Sequence, residues 1–307
     1  MLPPQDQPTG HQPPAEALRW TVEALGRGTR ISAIGYLPGG SFHANHAIDV
    51  VNRHGAVQRL VLRRWVRPDW LDTDPDYDAH REATILEFLA DSDVPAPCLV
   101  AADPRGEHCD VPALLLTRLP GRPSPERPAD IHLFLTELAT AIEAIHSVPG
   151  RAHEIVPSYR RFHEPPQLRV PSWARDREVW GRAIEVAAAD SPPGRECFIH
   201  RDFHPGNTLW AGRRLTGVVD WSYGSWGPAA VDLAHLRWNL AVDFGHLLAE
   251  QLVAALRAVT GGAVDHDPYW DVVDALDLVG DLDPADVGSR DVLVRLEEHV
   301  AAALRRL

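Results

Sequence analysis

The stretch His200-Arg201-Asp202-Phe203-His204-Pro205-Gly206-Asn207 leaves the chain little conformational choice near residue 205. Proline locks its own φ and cannot donate a helical hydrogen bond, and glycine beside it favours a tight turn. Asp202 and Asn207, five positions apart, are therefore expected on one compact loop and not on one helix face. A short apolar run follows, Leu215-Thr216-Gly217-Val218-Val219, and it ends on Asp220. A turn and then a hairpin would bring Asp202, Asn207 and Asp220 to one point. A metal site made of His200 and His204 at i, i+4 would need a helix, which Pro205-Gly206 argues against.

Two carboxylates and an amide in this order suit phosphoryl transfer. That reaction asks mainly for in-line positioning and for cations on the phosphate oxygens. Asp202 would take the proton of an attacking hydroxyl, and Asn207 and Asp220 would hold Mg²⁺. An isolated His-x-Asp is common by chance, but the ordered set H-R-D-x-x-x-x-N, apolar strand, D has the form of a kinase catalytic loop.

The same residues carry a resemblance. Phe198 to Trp210, Gly217 to Trp221, Trp226-Gly227-Pro228 and Asp232-Leu233-Ala234 resemble the aminoglycoside phosphotransferase family, small-molecule kinases with a protein-kinase-like fold. The likeness runs over roughly residues 30–240 and is strongest from 198 to 240. The family usually has glycine where this chain has Arg201. Trp221-Ser222 follows Asp220 where a protein kinase has Phe-Gly, and no Ala-Pro-Glu comes after, which favours a small-molecule acceptor.

The resemblance implies an α+β fold of two lobes: a small N-terminal β-sheet lobe with one main helix, over 17–119, and a larger, mostly helical C-terminal lobe, over 120–307. Residues 1–16, rich in Pro and Gln and without an apolar core, are read as a disordered tail and not a signal peptide. Strands are expected over 31–36, 47–51 and 58–65, with Gly39, Gly40 and Ser41 in a loop whose amides cover a nucleotide's phosphates. The third strand would carry the phosphate-contacting cation. The chain has no lysine; Val61-Leu62-Arg63 resembles the form common in the family, which implies Arg63 in that place, with Arg64 as the alternative if the register shifts by one. A helix over 80–90 carries Arg81-Glu82-Ala83, which resembles a family motif and implies that Glu82 pairs with Arg63; a plain exposed glutamate is the alternative.

A strand is expected at 98–101 and a buried one at 113–117, leading to the inter-lobe linker. There the resemblance implies that backbone groups near Thr117 and Leu119 meet the adenine edge. Helices are expected over 130–147 and 173–189, from about 229, and two or three more within 245–304. Residues 151–171 form an irregular insertion. His200 is assigned to positioning the loop. Asp232 either holds the catalytic loop by hydrogen bonds to its backbone, as the resemblance implies, or complements a helix dipole. His146 is read as packing or capping, and His204 as packing.

A net charge of −13 argues against a nucleic-acid binder. From Asp220 onward fifteen Asp and Glu face six Arg, a surface suited to a cationic substrate or simply to solvent. No stretch is long and apolar enough to span a membrane. Three cysteines without a C-x-x-C pair fit a reducing cytoplasm. The expected activity is O-phosphorylation of a small hydroxylated molecule by ATP or another NTP with Mg²⁺, in a monomer or homodimer. An aminoglycoside or other cationic antibiotic leads as acceptor. Choline, ethanolamine, homoserine, an amino sugar or a macrolide are the alternatives, and a non-catalytic nucleotide-binding module or a protein kinase are the rival classes.

Overall fold

The structure is a computed structural model that describes residues 12–38, 43–67, 74, 76, 78–125, 127–150, 155–262, 264, 266–279 and 290–307. The chain divides into two compact units. The first ends at Pro120 and also takes in Val219–Tyr223, and the second comprises Gly121–Val218 and Gly224–Leu307.

The first unit is built on an antiparallel five-stranded sheet of order β1-β2-β3-β5-β4. Its strands are β1 (Arg30–Leu37), β2 (His43–Val51), β3 (Val57–Trp65), β4 (Leu99–Asp103) and β5 (Ala113–Thr117). Alternation along β3 turns Leu60 and Leu62 to one face, where they pack with Ile48, Val50 and Leu115 against Ala17 and Trp20 of α1 (Ala15–Ala24). This helix was not anticipated, and the N-terminal lobe therefore has a second one. Its signal is present: Ala17, Trp20 and Thr21 recur at i, i+3 and i+4 and are its buried residues.

The second helix, α2 (Ala79–Leu89), starts at Asp78, whose side chain accepts from the His80 N–H. Its buried face carries Ala83, Ile85, Leu86 and Leu89, and among them Glu82, only 1% exposed. A charge so placed needs a partner.

Helices dominate the second unit: α3 (Ile131–His146), α4 (Arg177–Ala187), α5 (Ala229–Phe244), α6 (His246–Thr260), α7 (Pro268–Val279) and α8 (Arg290–Leu304). Asp130 and Asp176 cap α3 and α4 through their side chains. Trp180, Ala183, Val231, Ala234, Val272, Leu276 and Val300 meet in its core. Two small antiparallel sheets lie beside the helices. One pairs β7 (Glu196–Ile199) with β10 (Ser225–Pro228), and the other orders β6 (Arg122–Pro123), β8 (Thr208–Ala211) and β9 (Arg214–Val218) as β6-β8-β9. The insertion 151–171 includes one turn of 3₁₀ helix, Pro165–Gln167, and a bridge from Ser158 to Trp226. Among the described residues no helix is long and apolar enough to cross a membrane.

Candidate active site

Strand β7 delivers the chain into the loop that carries Asp202. His200, fully buried, opens it, and its backbone N–H donates to Asp232 Oδ2 at 2.8 Å. The next N–H, of Arg201, donates to Asp232 Oδ1 at 2.5 Å. Asp232 lies in the first turn of α5, is fully buried, and is also 3.1 Å from His146 Nε2. Burial works against its ionisation, but the bonds from His146 and the loop outweigh it and lower its pKa. Its carboxylate thus ties the loop to a helix, and His146 takes part in that tie.

Arg201 adopts φ +70°, the left-handed region that glycine enters at no steric cost. The arginine here makes its own compensations. Its guanidinium donates to Arg160 O at 2.5 Å and lies 3.8 Å from the Phe162 ring centroid and 5.4 Å from that of Tyr159. Arg201→Gly would relieve about 1 kcal/mol of backbone strain but lose a cation–π contact of about 1 kcal/mol to the half-exposed Phe162 ring and a charged hydrogen bond of about 1.5–2 kcal/mol. The expected result is a net loss of about 1–2 kcal/mol in thermal unfolding, with faster proteolysis near residues 159–163.

Beyond Arg201, the Asp202 N–H donates to His200 Nδ1 at 3.3 Å. The turn Pro205–Asn207 is one turn of 3₁₀ helix, and His204 caps it by accepting the Gly206 N–H at Nδ1, 3.1 Å away. Asn207 Nδ2 donates back to Asp202, to its backbone O at 3.0 Å and to Oδ2 at 2.8 Å. With the amide nitrogen so used, Asn207 Oδ1 is the atom that can face a cation. Asp202 Oδ1 lies 3.1 Å from His235 Nε2 and 3.8 Å from His204 Nε2. Burial alone would raise the Asp202 pKa, but the His235 hydrogen bond and the His235 charge win and lower it.

The first unit holds a second group of charges. Arg63 Nε donates to Glu82 Oε2 at 2.9 Å, and its NH2 to Asp220 Oδ1 at 2.5 Å. Ser222 Oγ donates to Glu82 Oε2 at 2.9 Å, so the buried carboxylate meets two donors. Burial by itself would depress the Arg63 pKa, but Asp220 and Glu82 outweigh it, and the guanidinium stays charged. Asp220, like Arg201, has a positive φ, +68°. Left-handed backbone at a non-glycine residue costs on the order of 1–2 kcal/mol and persists where surrounding bonds hold it. Strand alternation sends the neighbour Arg64 elsewhere, to Asp110, through its Nε and NH2.

Thr117 ends β5, and Leu119 lies two residues on. The Thr117 N–H is bonded to Cys98 O at 2.9 Å and the Arg118 N–H to Arg59 O at 3.0 Å. A donor to an adenine edge from this segment would therefore be the Leu119 N–H. Gly39, Gly40 and Ser41 lie outside the described residues. Residues 43–46, expected to precede the strand, belong to β2, which begins at His43 and pairs Ala44 and Asn45 with Arg64 and Arg63. Their amides belong to a strand.

A sequence model described as the phosphotransferase enzyme family matches residues 42–276. The chain belongs to this family. No curated protein matches the sequence significantly. Solved structures of phosphotransferases share the fold at low identity. A candidate aminoglycoside phosphotransferase from Ralstonia eutropha is 13% identical, with a TM-score of 0.65 over 96% of this chain and 99% of that one. A thermostable mutant of aminoglycoside phosphotransferase APH(4)-Ia, in ternary complex with AMP-PNP and hygromycin B, is 17% identical, with a TM-score of 0.63 over 94% and 97%. Macrolide 2′-phosphotransferase MphH from Brachybacterium faecium is 19% identical, with a TM-score of 0.58 over 95% and 99%. The chain is a phosphotransferase that shares the fold of these structures.

Three residues bonded to these candidate groups, each within its own unit, were not singled out in the sequence. Ser222 binds Glu82, and His235 of α5 and Asp274 of α7 form a bonded pair beside Asp202. Only Ser222, two residues after Asp220, sat close enough to a motif to be noticed.

Proposed function

We propose that the chain transfers the γ-phosphoryl group of ATP to a hydroxyl of a small molecule, with Asp202 as the base. The observation that carries this reading is the state of Asp202. The carboxylate is kept ionised, it is oriented at both oxygens by Asn207 and His235, and its loop is pinned at the backbone by Asp232. The acceptor's O–H bond breaks as its oxygen bonds to the γ-phosphorus. The proton passes to Asp202, and the bond to the bridging oxygen breaks to release ADP. In a loose transition state the proton moves late, so a base of low pKa serves by orienting the hydroxyl more than by pulling on it.

Asn207 Oδ1 and the Asp220 carboxylate are the hard oxygen donors that Mg²⁺ prefers. The bonding around them accords with that role: the Asn207 amide nitrogen is committed to Asp202, and Asp220 Oδ1 to Arg63. Bound there, the ion would neutralise charge on the transferring phosphate. Arg63, held charged by Glu82, would contact the α/β-phosphates, with Gly39, Gly40 and Ser41 covering them and Thr117 to Leu119 meeting the adenine. Asp220→Ala is expected to weaken Mg-ATP binding on the order of 10- to 100-fold in calorimetry. Unchanged affinity would remove Asp220 from the metal site.

An aminoglycoside or other cationic antibiotic leads as acceptor, on the family and on the acidic residues from Asp220 onward. Such an activity would confer resistance and would act in the cytoplasm, where ATP is available and the three free cysteines stay reduced. ATP consumption against a panel of aminoglycosides, macrolides, choline, ethanolamine, homoserine and amino sugars tests the class. Consumption stimulated by none of them tells against it, and phosphate found on the chain itself would point to a protein kinase.

A further inference from the structure

Asp202 is the residue on which the chemistry turns, and the group nearest to its Oδ1 comes from elsewhere in the fold. His235 sits on α5, one turn after Asp232. Its Nε2 is 3.1 Å from Asp202 Oδ1 and its Nδ1 is 3.1 Å from Asp274 Oδ2 on α7. Ionised carboxylates only accept hydrogen bonds. A ring with a carboxylate at each nitrogen must therefore donate from both, which makes it an imidazolium. Asp274 is itself fixed, since Trp238 Nε1 donates to its Oδ2 at 2.6 Å. The Trp238 ring also packs edge-on against His235 at 5.4 Å. Burial would discharge the imidazole, but Asp274 and Asp202 outweigh it and raise its pKa to about 10.

On this basis we propose that His235, clamped by Asp274, is a positioning residue for the Asp202 base. Asn207 holds one oxygen of the carboxylate and His235 the other, so the carboxylate cannot rotate about its bond to Cβ. His204 adds to the clamp. Its Nδ1 accepts from Gly206, which leaves the proton on Nε2, facing Asp202 at 3.8 Å. The lone pair that meets the acceptor is thereby fixed in direction, and misplacement of a reacting group by about 1 Å can cost on the order of 10²-fold in rate. The clamp explains why a polar ring and two carboxylates are kept together at the junction of the catalytic loop, α5 and α7.

The inference rests on the proposed role of Asp202, and two measurements separate the two. The first reads the ring without any acceptor. Long-range ¹H–¹⁵N spectra at about pH 8, with His235→Gln to assign the signal, are expected to show His235 protonated at both nitrogens, where an ordinary histidine is neutral. In Asp274→Asn the ring is expected to lose its charge at that pH. A neutral wild-type His235 would overturn the inference whether or not an acceptor is known.

The second measurement reads turnover with an acceptor from the panel. His235→Ala and His235→Gln are expected to lower kcat on the order of 10²-fold for Ala, less for Gln, with Mg-ATP affinity unchanged. In an Asp202→Asn background the same changes are expected to add nothing, because His235 acts through Asp202. Wild-type kcat in His235→Ala, or an equal further loss in the Asp202→Asn background, would sink the proposal. A wild-type protein that turns over no acceptor tells against the function reading, while the spectra still decide the clamp.

Discussion

Asp202→Asn is expected to lower kcat for phosphoryl transfer by roughly 10²–10⁴-fold, the range a positioned general base supplies, while Mg-ATP binds with wild-type affinity. The side chains are nearly isosteric, so the loop tie to Asp232 and the turn capped by His204 are untouched. What is lost is the proton acceptor and the charge that faces His235. The residual rate would come from nucleotide positioning and from charge stabilisation by Arg63 and the metal, which do not depend on the base. Steady-state kinetics with calorimetry on the same preparation checks both halves. Normal kcat in the variant would show that the acceptor proton goes elsewhere.

Asp232→Ala is expected to act mainly on folding. It removes the acceptor of the His200 and Arg201 N–H groups and the partner of His146, all in a fully buried setting. Each unsatisfied buried donor costs about 1–3 kcal/mol, so a loss of about 3–5 kcal/mol is expected in denaturant unfolding. Asp232→Asn, whose oxygen can still accept one of the two bonds, should lose about half of that. The folded-state pKa of Asp232 is lowered from 3.8. Its contribution is therefore fully present above about pH 4 and is lost as the pH falls through the depressed folded value. The stability gap between wild type and Asp232→Asn should accordingly narrow under acid conditions and stay constant from about pH 5 to 8. A gap that widened in acid would mean that the carboxylate is not ionised in the fold.

The fold was largely readable because it depends on local patterns. Alternation along β3 and the Pro-Gly turn at 205–206 each act over a few residues. Strand β2 was expected to start at Ala47 but starts at His43, because cross-strand pairing to β3 continues through polar residues that lack an apolar signal. Helix α1 was missed for the opposite reason. Its Pro-rich approach resembled a tail, and its buried positions become informative only once a sheet exists to receive them.

The candidate site divides in the same way. Asp202, Asn207 and Asp220 could be singled out because their spacing is set by one loop and one short strand. His235 and Asp274 could not. They reach Asp202 from two helices distant in sequence, and nothing in the local pattern marks an Asp or His on a helix as facing a third element. The Arg63 and Arg64 alternative also needed the sheet, since both arginines are buried and paired, and only the partner tells them apart.

The most direct test of the whole account is the mass of the acceptor after incubation with ATP, Mg²⁺ and the protein. Across the acceptor panel, at least one small hydroxylated molecule should gain the mass of one phosphoryl group at a hydroxyl oxygen with wild type, and do so at least about 10²-fold more slowly with Asp202→Asn. Undiminished product formation by Asp202→Asn, or phosphate transferred only to protein side chains, would contradict it.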